Sequence, residues 1–324
     1  MRLDLIFSIG PACRPAYHLK QHFLRFFSSP LDYQMGYSLS TVLHLFQTSF
    51  SDFFSETEED LTKNGAHNNR RVIDTKNTII SLHHFDRDIP LSEAKDQFQS
   101  VMHKRFDTLH RAILDASTVG LICNRSETIS ELSSFLEAFG SLYPDQHFTL
   151  INIRNGPSAS TVEKNEYLIN HRLTILEYTG CDVYPPDDDY ENFFWIGNPS
   201  LWHFVLKDLT LTNHPFVTQV SQWIDADKEI LLYGAGLYCK KILTFLHLYQ
   251  LSPYGIAVTD TTDNPDSLHA IPVKPISAYK DLAHKCVVII TVVNPKIAAQ
   301  IKHSLKNLGF DAVVTINDSL RLFY

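Results

Sequence analysis

"FSIGPACRPAYHLKQHFLRFFSSPLDY", residues 7–33, joins a short apolar run to a helical pattern through Gly10-Pro11 and a cysteine. The run "LDLIFSI" (3–9) is short and apolar, which predicts a strand. Ala16, Leu19, Phe23 and Phe26 then recur at helical spacing over 15–27, with Pro15 in the first turn, where a missing N–H costs nothing. Strand, tight turn and helix in that order place Cys13 at a helix start. Three roles compete for a cysteine there: a lipid attachment site, a buried core thiol and a reactive nucleophile.

The chain has 324 residues, enough for about two domains. Hydrophobic content of 44% and charged content of 20% allow ordinary buried cores. A formal charge of -8 and the absence of any Lys/Arg run argue against a general nucleic-acid binder. The densest like-charge stretch, "SETEEDL" (55–61), reads as a solvated loop or helix start. No apolar run approaches the roughly 18–20 residues of a membrane helix. "MRLDLIFSIGPAC" imitates a lipoprotein signal, but Asp4 interrupts it and "LIFSIG" falls short of the roughly 7–15 apolar residues such a signal needs. The five cysteines, at 13, 123, 181, 239 and 286, show no CxxC spacing; reduced thiols in a cytoplasm are the simplest expectation.

Further along, "SLSTVLHLFQTSFSDFF" (38–54) predicts a second amphipathic helix, and 56–71 a polar loop. "VIDTKNTIISLHHF" (72–85) is β-branched strand material. Residues 90–116 predict a long helix capped by Ser92, with Phe98, Val101, Met102, Phe106, Leu109 and Ile113 on one face. "TVGLICN" (118–124) reads as a buried strand, and Thr128-x-x-Glu131 as the capping box of a helix over 126–143. "HFTLINIRN" (147–155) and "RLTILEYT" (172–179) are further strands. This alternation predicts an α/β or α+β domain over 1–210. A linker over 211–227 follows. From residue 228 to 324 the order strand, glycine turn, helix, strand, then strand, helix closed by Gly309, strand predicts a small Rossmann-like parallel α/β domain.

A cysteine at a helix N-terminus sits where backbone N–H groups and the macrodipole favour a thiolate. As a nucleophile it needs a base, usually His, and a group that orients the base. "SLHHFDRD" supplies His83 and His84 at a strand end; strand alternation lets only one of them face Cys13. In that alternation Ser81 shares a side with His83, which suits a polar cleft, while Ile80 and Leu82 share His84's side, which suits the core. Asp86, Asp88 or Asn124 could orient the base. The plainer reading is that Cys13 only packs, as most single cysteines do. His18 and His22 stand i, i+4 but lack the Glu of a zincin helix. Solvated helix surface is the default for both, with zinc the lesser alternative, and no metal ligand is assigned.

Ser8, Gly10, Cys13, Leu24, Arg25, Ser28, Pro30 and Asp32 match the opening of a bacterial family described as papain-like cysteine peptidases of unknown function, which the stretch resembles. Ile9, Leu31 and Tyr33 stand where that family has leucine, phenylalanine and tryptophan. His83-His84-Phe85 is similar to its His-Asp-Phe motif, with His84 in place of the acid. "FFWIGNPSLWHFVLKDL" looks like its closing Trp-containing segment, so the likeness covers about residues 1–210. It implies a papain-like α+β domain in which Cys13 attacks a carbonyl or thioester, His83 shuttles the proton, and N–H groups at the helix start hold the oxyanion. No cofactor is required for that chemistry. Arg25 and Asp32 are expected to be a buried pair that fixes the loop after the first helix.

"GAGLYC" (234–239) carries Gly234 and Gly236 of a G-x-G-x-x-G fingerprint, with Cys239 at the third position and Asp260 closing the next strand. The stretch 254–279 resembles the nucleotide-sugar-binding N-terminal domain of bacterial sugar acetyltransferases, with Ile271-Pro272-Val273 matching their Gly-x-Pro-Val-like loop and Ala270 replacing its glycine. That likeness implies a nucleotide or nucleotide-sugar ligand held by Gly234, Gly236 and Asp260; a scaffold without ligand is the equal alternative. Three functions follow: a thiol hydrolase or acyl/peptidyl transferase acting on a peptide or small molecule, a non-enzymatic binding protein with an inert Cys13, and an accessory protein of surface-glycan biosynthesis. The oligomeric state stays open.

Overall fold

The computed structural model describes residues 1–157, 161–186 and 190–320. The chain divides into two units, Met1–Leu211 and Thr212–Tyr324. Both are mixed α/β.

The first unit runs β1 (Arg2–Leu3), β2 (Leu5–Ser8), α1 (Cys13–Gln21), β3 (Gln34–Met35), α2 (Leu39–Gln47), β4 (Thr57–Glu59), β5 (Val72–Asp74), β6 (Ile79–Ser81), α3 (Leu91–Asp115), β7 (Thr118–Cys123), α4 (Ile129–Leu142), β8 (His147–Asn155), β9 (Glu163–Asn170), β10 (Leu173–Gly180), α5 (Tyr190–Phe193), α6 (Pro199–Leu206) and β11 (Thr210–Leu211). Its central sheet has the order β2-β7-β8-β10-β9, parallel except for the antiparallel edge strand β9. Both faces are covered. Leu5, Phe7, Val119 and Leu121 pack into an aromatic cluster with Phe46, Phe106 and Phe139; Ile6, Ile122 and Ile151 pack on Leu19 and Trp202. Two buried faces explain why β2 and β7 read as continuous apolar runs rather than alternating ones. A small antiparallel sheet, β3-β6-β5-β4, carries the histidine segment, and β1 pairs with β11.

Several elements are shorter than the sequence suggests. The helix expected to reach residue 54 stops at Gln47, because Ser49 and Phe50 turn into the left-handed region with φ of 52° and 58°. The apolar stretch 72–85 is a hairpin, β5 and β6, turned at Thr78 with φ 58°. The long helix starts after Pro90 with no side-chain cap, so Ser92 is not its cap. The Thr128–Glu131 capping box is present as expected. Strand β9 is mostly exposed and polar, so no hydrophobic period announced it.

The second unit runs α7 (Pro215–Asp225), β12 (Glu229–Tyr233), α8 (Leu237–Leu248), β13 (Gly255–Val258), β14 (Ser267–Leu268), β15 (Ile271–Pro275), β16 (Cys286–Ile290), α9 (Pro295–Asn307), β17 (Ala312–Thr315) and α10 (Ile316–Leu320). Its sheet has the order β14-β15-β13-β12-β16-β17, parallel except for β14. The stretch 211–227, expected to be a linker, is mostly α7. Phe216 and Val220 are buried, so it belongs to the unit's core. Gly309, at φ +90°, lies just past α9 as expected.

Candidate active site

Strand β2 delivers the chain to Gly10, which must be glycine twice over. Its φ is +71°, and a Cβ there would lie on the hydroxyl of Tyr37. The turn is pinned from several sides: Gly10 N donates to Ser8 Oγ at 3.1 Å, Asn124 N donates to Gly10 O at 3.3 Å, and Gly36 N donates to Pro11 O at 3.3 Å. Helix α1 then begins at Cys13. Its N-cap, Ala12, gives no side-chain cap, and there is no acidic residue in the first turn. Its first N–H groups, those of Cys13 and Arg14, therefore have no side-chain acceptor from an N-cap and stand at the positive end of the macrodipole.

Cys13 Sγ stands 3.8 Å from His83 Nε2. Burial opposes the activation expected from the helix terminus. Burial pushes the half-buried thiol up to about 11, ahead of its own backbone N–H, which lowers it, and Asp32, which raises it. Burial and then His67 push His83 below its ordinary value. At neutral pH the pair therefore rests as thiol and imidazole, not as an ion pair. Such a pair can act by general-base transfer at the moment of attack.

His84 faces elsewhere. Its Nδ1 lies 3.1 Å from Ser81 Oγ and 3.4 Å from Gln34 Nε2, its ring is 5.3 Å from Phe98, and burial pushes it down to about 3. So His83 is the histidine beside the sulfur, but not by the alternation argument. Strand β6 ends at Ser81, Ile79 and Ser81 form its buried face, and the chain bends over 82–84 before Phe85 re-enters the core.

Asp86 is not on the imidazole. Its Oδ1 accepts from Asn68 Nδ2 at 3.2 Å and Asp88 N at 2.9 Å, holding its own loop. Asn124 donates to Ile153 O at 2.7 Å. Among the described residues no carboxylate is hydrogen-bonded to His83. Its ring meets Tyr33 edge-on, with centroids 5.9 Å apart. Arg25 and Asp32 form the expected buried pair, Nε to Oδ2 at 3.4 Å.

Residues far along the chain close over α1 through contacts that no local pattern announced. Arg14 Nη1 pairs with Asp182 Oδ2 at 2.9 Å, and its Nε donates to Trp195 O at 2.8 Å. The Asp182 side chain is fully buried and also accepts from Asn198 N and Trp202 Nε1, each at 3.0 Å. His18 is not helix surface: it is 2% exposed, stacked on Trp202 at 4.5 Å, hydrogen-bonded to Ile196 O at 2.8 Å, and pushed by burial down to about 3. His22 turns towards His203, Nε2 to Nδ1 at 3.4 Å. Among the described residues no three His, Cys, Asp or Glu side chains converge as metal ligands.

In the second unit Gly234 has φ +106°, and a Cβ there would meet Thr291 Oγ1 at 3.0 Å. Gly236 is the N-cap of α8, which has no side-chain cap, and a Cβ on it would meet nothing within 4 Å. Asp260 lies past β13 in an exposed loop, its Oδ1 accepting from Thr262 N at 2.9 Å and Thr262 Oγ1 at 2.6 Å. Cys239 is buried.

Residues 4–126 match a family model described as "putative papain-like cysteine peptidase". The matched stretch contains Cys13, His83, His84 and Asp86, and ends before the strap that carries Asp182 and Trp202. No curated protein and no solved structure matches the chain. Among the described residues no helix is long and apolar enough to cross a membrane.

Proposed function

We propose that the first unit is a cysteine-dependent acyl hydrolase or transferase, with Cys13 as nucleophile and His83 as base. The observation that carries this reading is the 3.8 Å approach of His83 Nε2 to Cys13 Sγ at a helix start without a side-chain cap. Sγ attacks the carbonyl carbon of a peptide, ester or thioester while its proton passes to His83 Nε2. The N–H groups of Cys13 and Arg14 receive the oxyanion. The C–N, C–O or C–S bond then breaks, the leaving group takes the proton from His83, and the acyl group stays on Cys13 as a thioester. Water or an acceptor nucleophile, deprotonated by His83, attacks that thioester and restores the thiol.

The high thiol pKa favours one second reading, a binding or accessory protein with an inert Cys13. The two part on one experiment. The protein is mixed with p-nitrophenyl acetate, and its intact mass is followed. Acetylation that is lost in Cys13→Ala and in His83→Ala supports the enzyme; a chain that stays unmodified at Cys13 supports the inert thiol.

For the second unit we propose a Rossmann-like module that takes a nucleotide or nucleotide sugar at Gly234–Gly236. The parallel order β15-β13-β12-β16-β17 supports it, since it follows the 3-2-1-4-5 pattern of a doubly wound sheet, whose ligands sit at the strand C-termini. Gly236 supports it too: neither its φ nor its neighbours require glycine, whereas close approach of a phosphate would. Five free cysteines suit a reducing cytoplasm.

A further inference from the structure

The base of the proposed pair has nothing to hold it in the usual way. A catalytic imidazole is normally oriented by a carboxylate or amide on its second nitrogen. Among the described residues the hydrogen-bond partner of His83 is Cys13 alone, and the acid expected at Asp86 is occupied by its own loop. An unheld ring turns freely about χ2, and most of its orientations aim no nitrogen at Sγ.

What the ring does meet is Tyr33. The centroids lie 5.9 Å apart with planes crossing at 69°, the edge-to-face geometry that aromatic quadrupoles favour. Tyr33 is itself clamped. Arg25 Nη1 donates to its hydroxyl at 3.2 Å, and the guanidinium carbon stands 5.5 Å from its ring centroid. Arg25 is held in turn by Ser28 Oγ at 2.7 Å and by Asp32 at 3.4 Å. Asp32 is 2% exposed and accepts from Ser29 N at 3.0 Å. The backbone of Tyr33 sits at φ +62°, a conformation that side-chain-bearing residues adopt only when their surroundings over-determine it. Burial raises the Tyr33 hydroxyl above its ordinary value, so it stays protonated and takes no part in proton transfer.

We propose that Tyr33 is the positioning residue for His83, orienting the imidazole by ring contact, with the buried Arg25–Asp32 pair as its anchor. The proposal rests on the Cys13–His83 reading. It explains why two polar residues after α1 are buried as an ion pair beside an apolar core: they fix an aromatic plane against the base.

The test is single-turnover acetylation of Cys13 by p-nitrophenyl acetate in the full chain, as a function of ester concentration, for Tyr33→Leu, Tyr33→Phe and His83→Ala. Tyr33→Leu is expected to lower the maximal rate by about tenfold to a hundredfold with the half-saturating ester concentration unchanged, the signature of a misplaced base. Tyr33→Phe keeps the ring and its contact with the Arg25 guanidinium, losing only the hydroxyl, and is expected to retain most of the rate; a fall equal to that of Tyr33→Leu would overturn orientation by ring contact. If His83→Ala acetylates as fast as the unaltered chain, the site reading itself falls. If His83→Ala is inactive while Tyr33→Leu matches the unaltered chain, only the positioning role falls. Should Tyr33→Leu fail to fold, the unaltered chain decides by long-range 1H–15N spectra of its imidazoles: ring-current-shifted His83 resonances support the contact, and those of a freely turning ring overturn it.

Discussion

Arg14, the residue after Cys13, is tied by a 2.9 Å ion pair to Asp182, 168 positions later in the chain. The carboxylate sits out of solvent and also serves the Trp202 indole and the Asn198 amide. The strap after β10 is thus bolted to the helix that carries the thiol. Removing the carboxylate leaves the Trp202 indole N–H without its acceptor and the Arg14 guanidinium with only carbonyl partners. Asp182→Ala is expected to cost about 2 kcal/mol, the order for leaving a buried donor unsatisfied, and to slow acetylation of Cys13. Urea unfolding measures the first; a midpoint equal to that of the unaltered chain would show the strap to be incidental.

His18 gives the fold a pH dependence with a definite sign. Burial against Trp202 keeps it neutral in the folded state down to about 3. The unfolded chain takes up that proton near the ordinary 6.5, so it binds more protons than the folded chain between those values. Stability is therefore complete above pH 6.5 and falls as pH drops towards 3, by up to about 1.4 kcal/mol per pH unit for this group. Denaturant midpoints from pH 7 to pH 4 should show this slope, and His18→Gln, which keeps a polar side chain there, should flatten it. An unchanged slope in that variant would move the effect to His84, which burial shifts in the same way.

The thiol should behave as its burial dictates. With Cys13 pushed up to about 11, only about one molecule in ten thousand carries a thiolate at pH 7. Alkylation by iodoacetamide is expected to be slow at neutral pH and to rise tenfold per pH unit towards 11. On the proposed mechanism acetylation should instead be level near neutrality and decline as pH falls below the lowered His83 value, where the imidazole gains a proton. Fast alkylation at pH 7 would mean that the helix terminus outweighs burial after all.

Glycine substitutions separate architecture from binding. Gly10→Ala meets both a left-handed φ, worth about 1–2 kcal/mol, and the Tyr37 hydroxyl, so its melting temperature should drop. Gly234→Ala should destabilise the second unit through its φ of +106° and Thr291. Gly236→Ala meets nothing within 4 Å and should melt like the unaltered chain. It should nonetheless lose the thermal stabilisation conferred by a nucleotide or nucleotide sugar. If UDP-glucose, ADP and NAD all leave the melting of the unaltered chain in place, the second unit is a scaffold.

Local chemistry alone determined several features. The Gly-Pro turn with Pro15 set Cys13 at a helix start, Thr128 and Glu131 announced their capping box, and the strand–glycine–helix order from residue 229 announced a parallel sheet. Each depends on residues within a few positions of one another, where backbone preference and side-chain reach suffice. The sequence also named His83, on its likeness to the family motif and on an alternation that stops where β6 ends at Ser81. Tertiary structure decided the rest. Asp86 looked available to the base until its loop claimed it, and His18 looked like helix surface until α6 brought Trp202 against it. Asp182 carried no local signal, because its partners lie at 14, 198 and 202. The balance at Cys13 is likewise out of reach of a local reading: the backbone N–H that lowers the thiol belongs to one helix start, but the desolvation that outweighs it comes from side chains that only the folded chain packs around the sulfur.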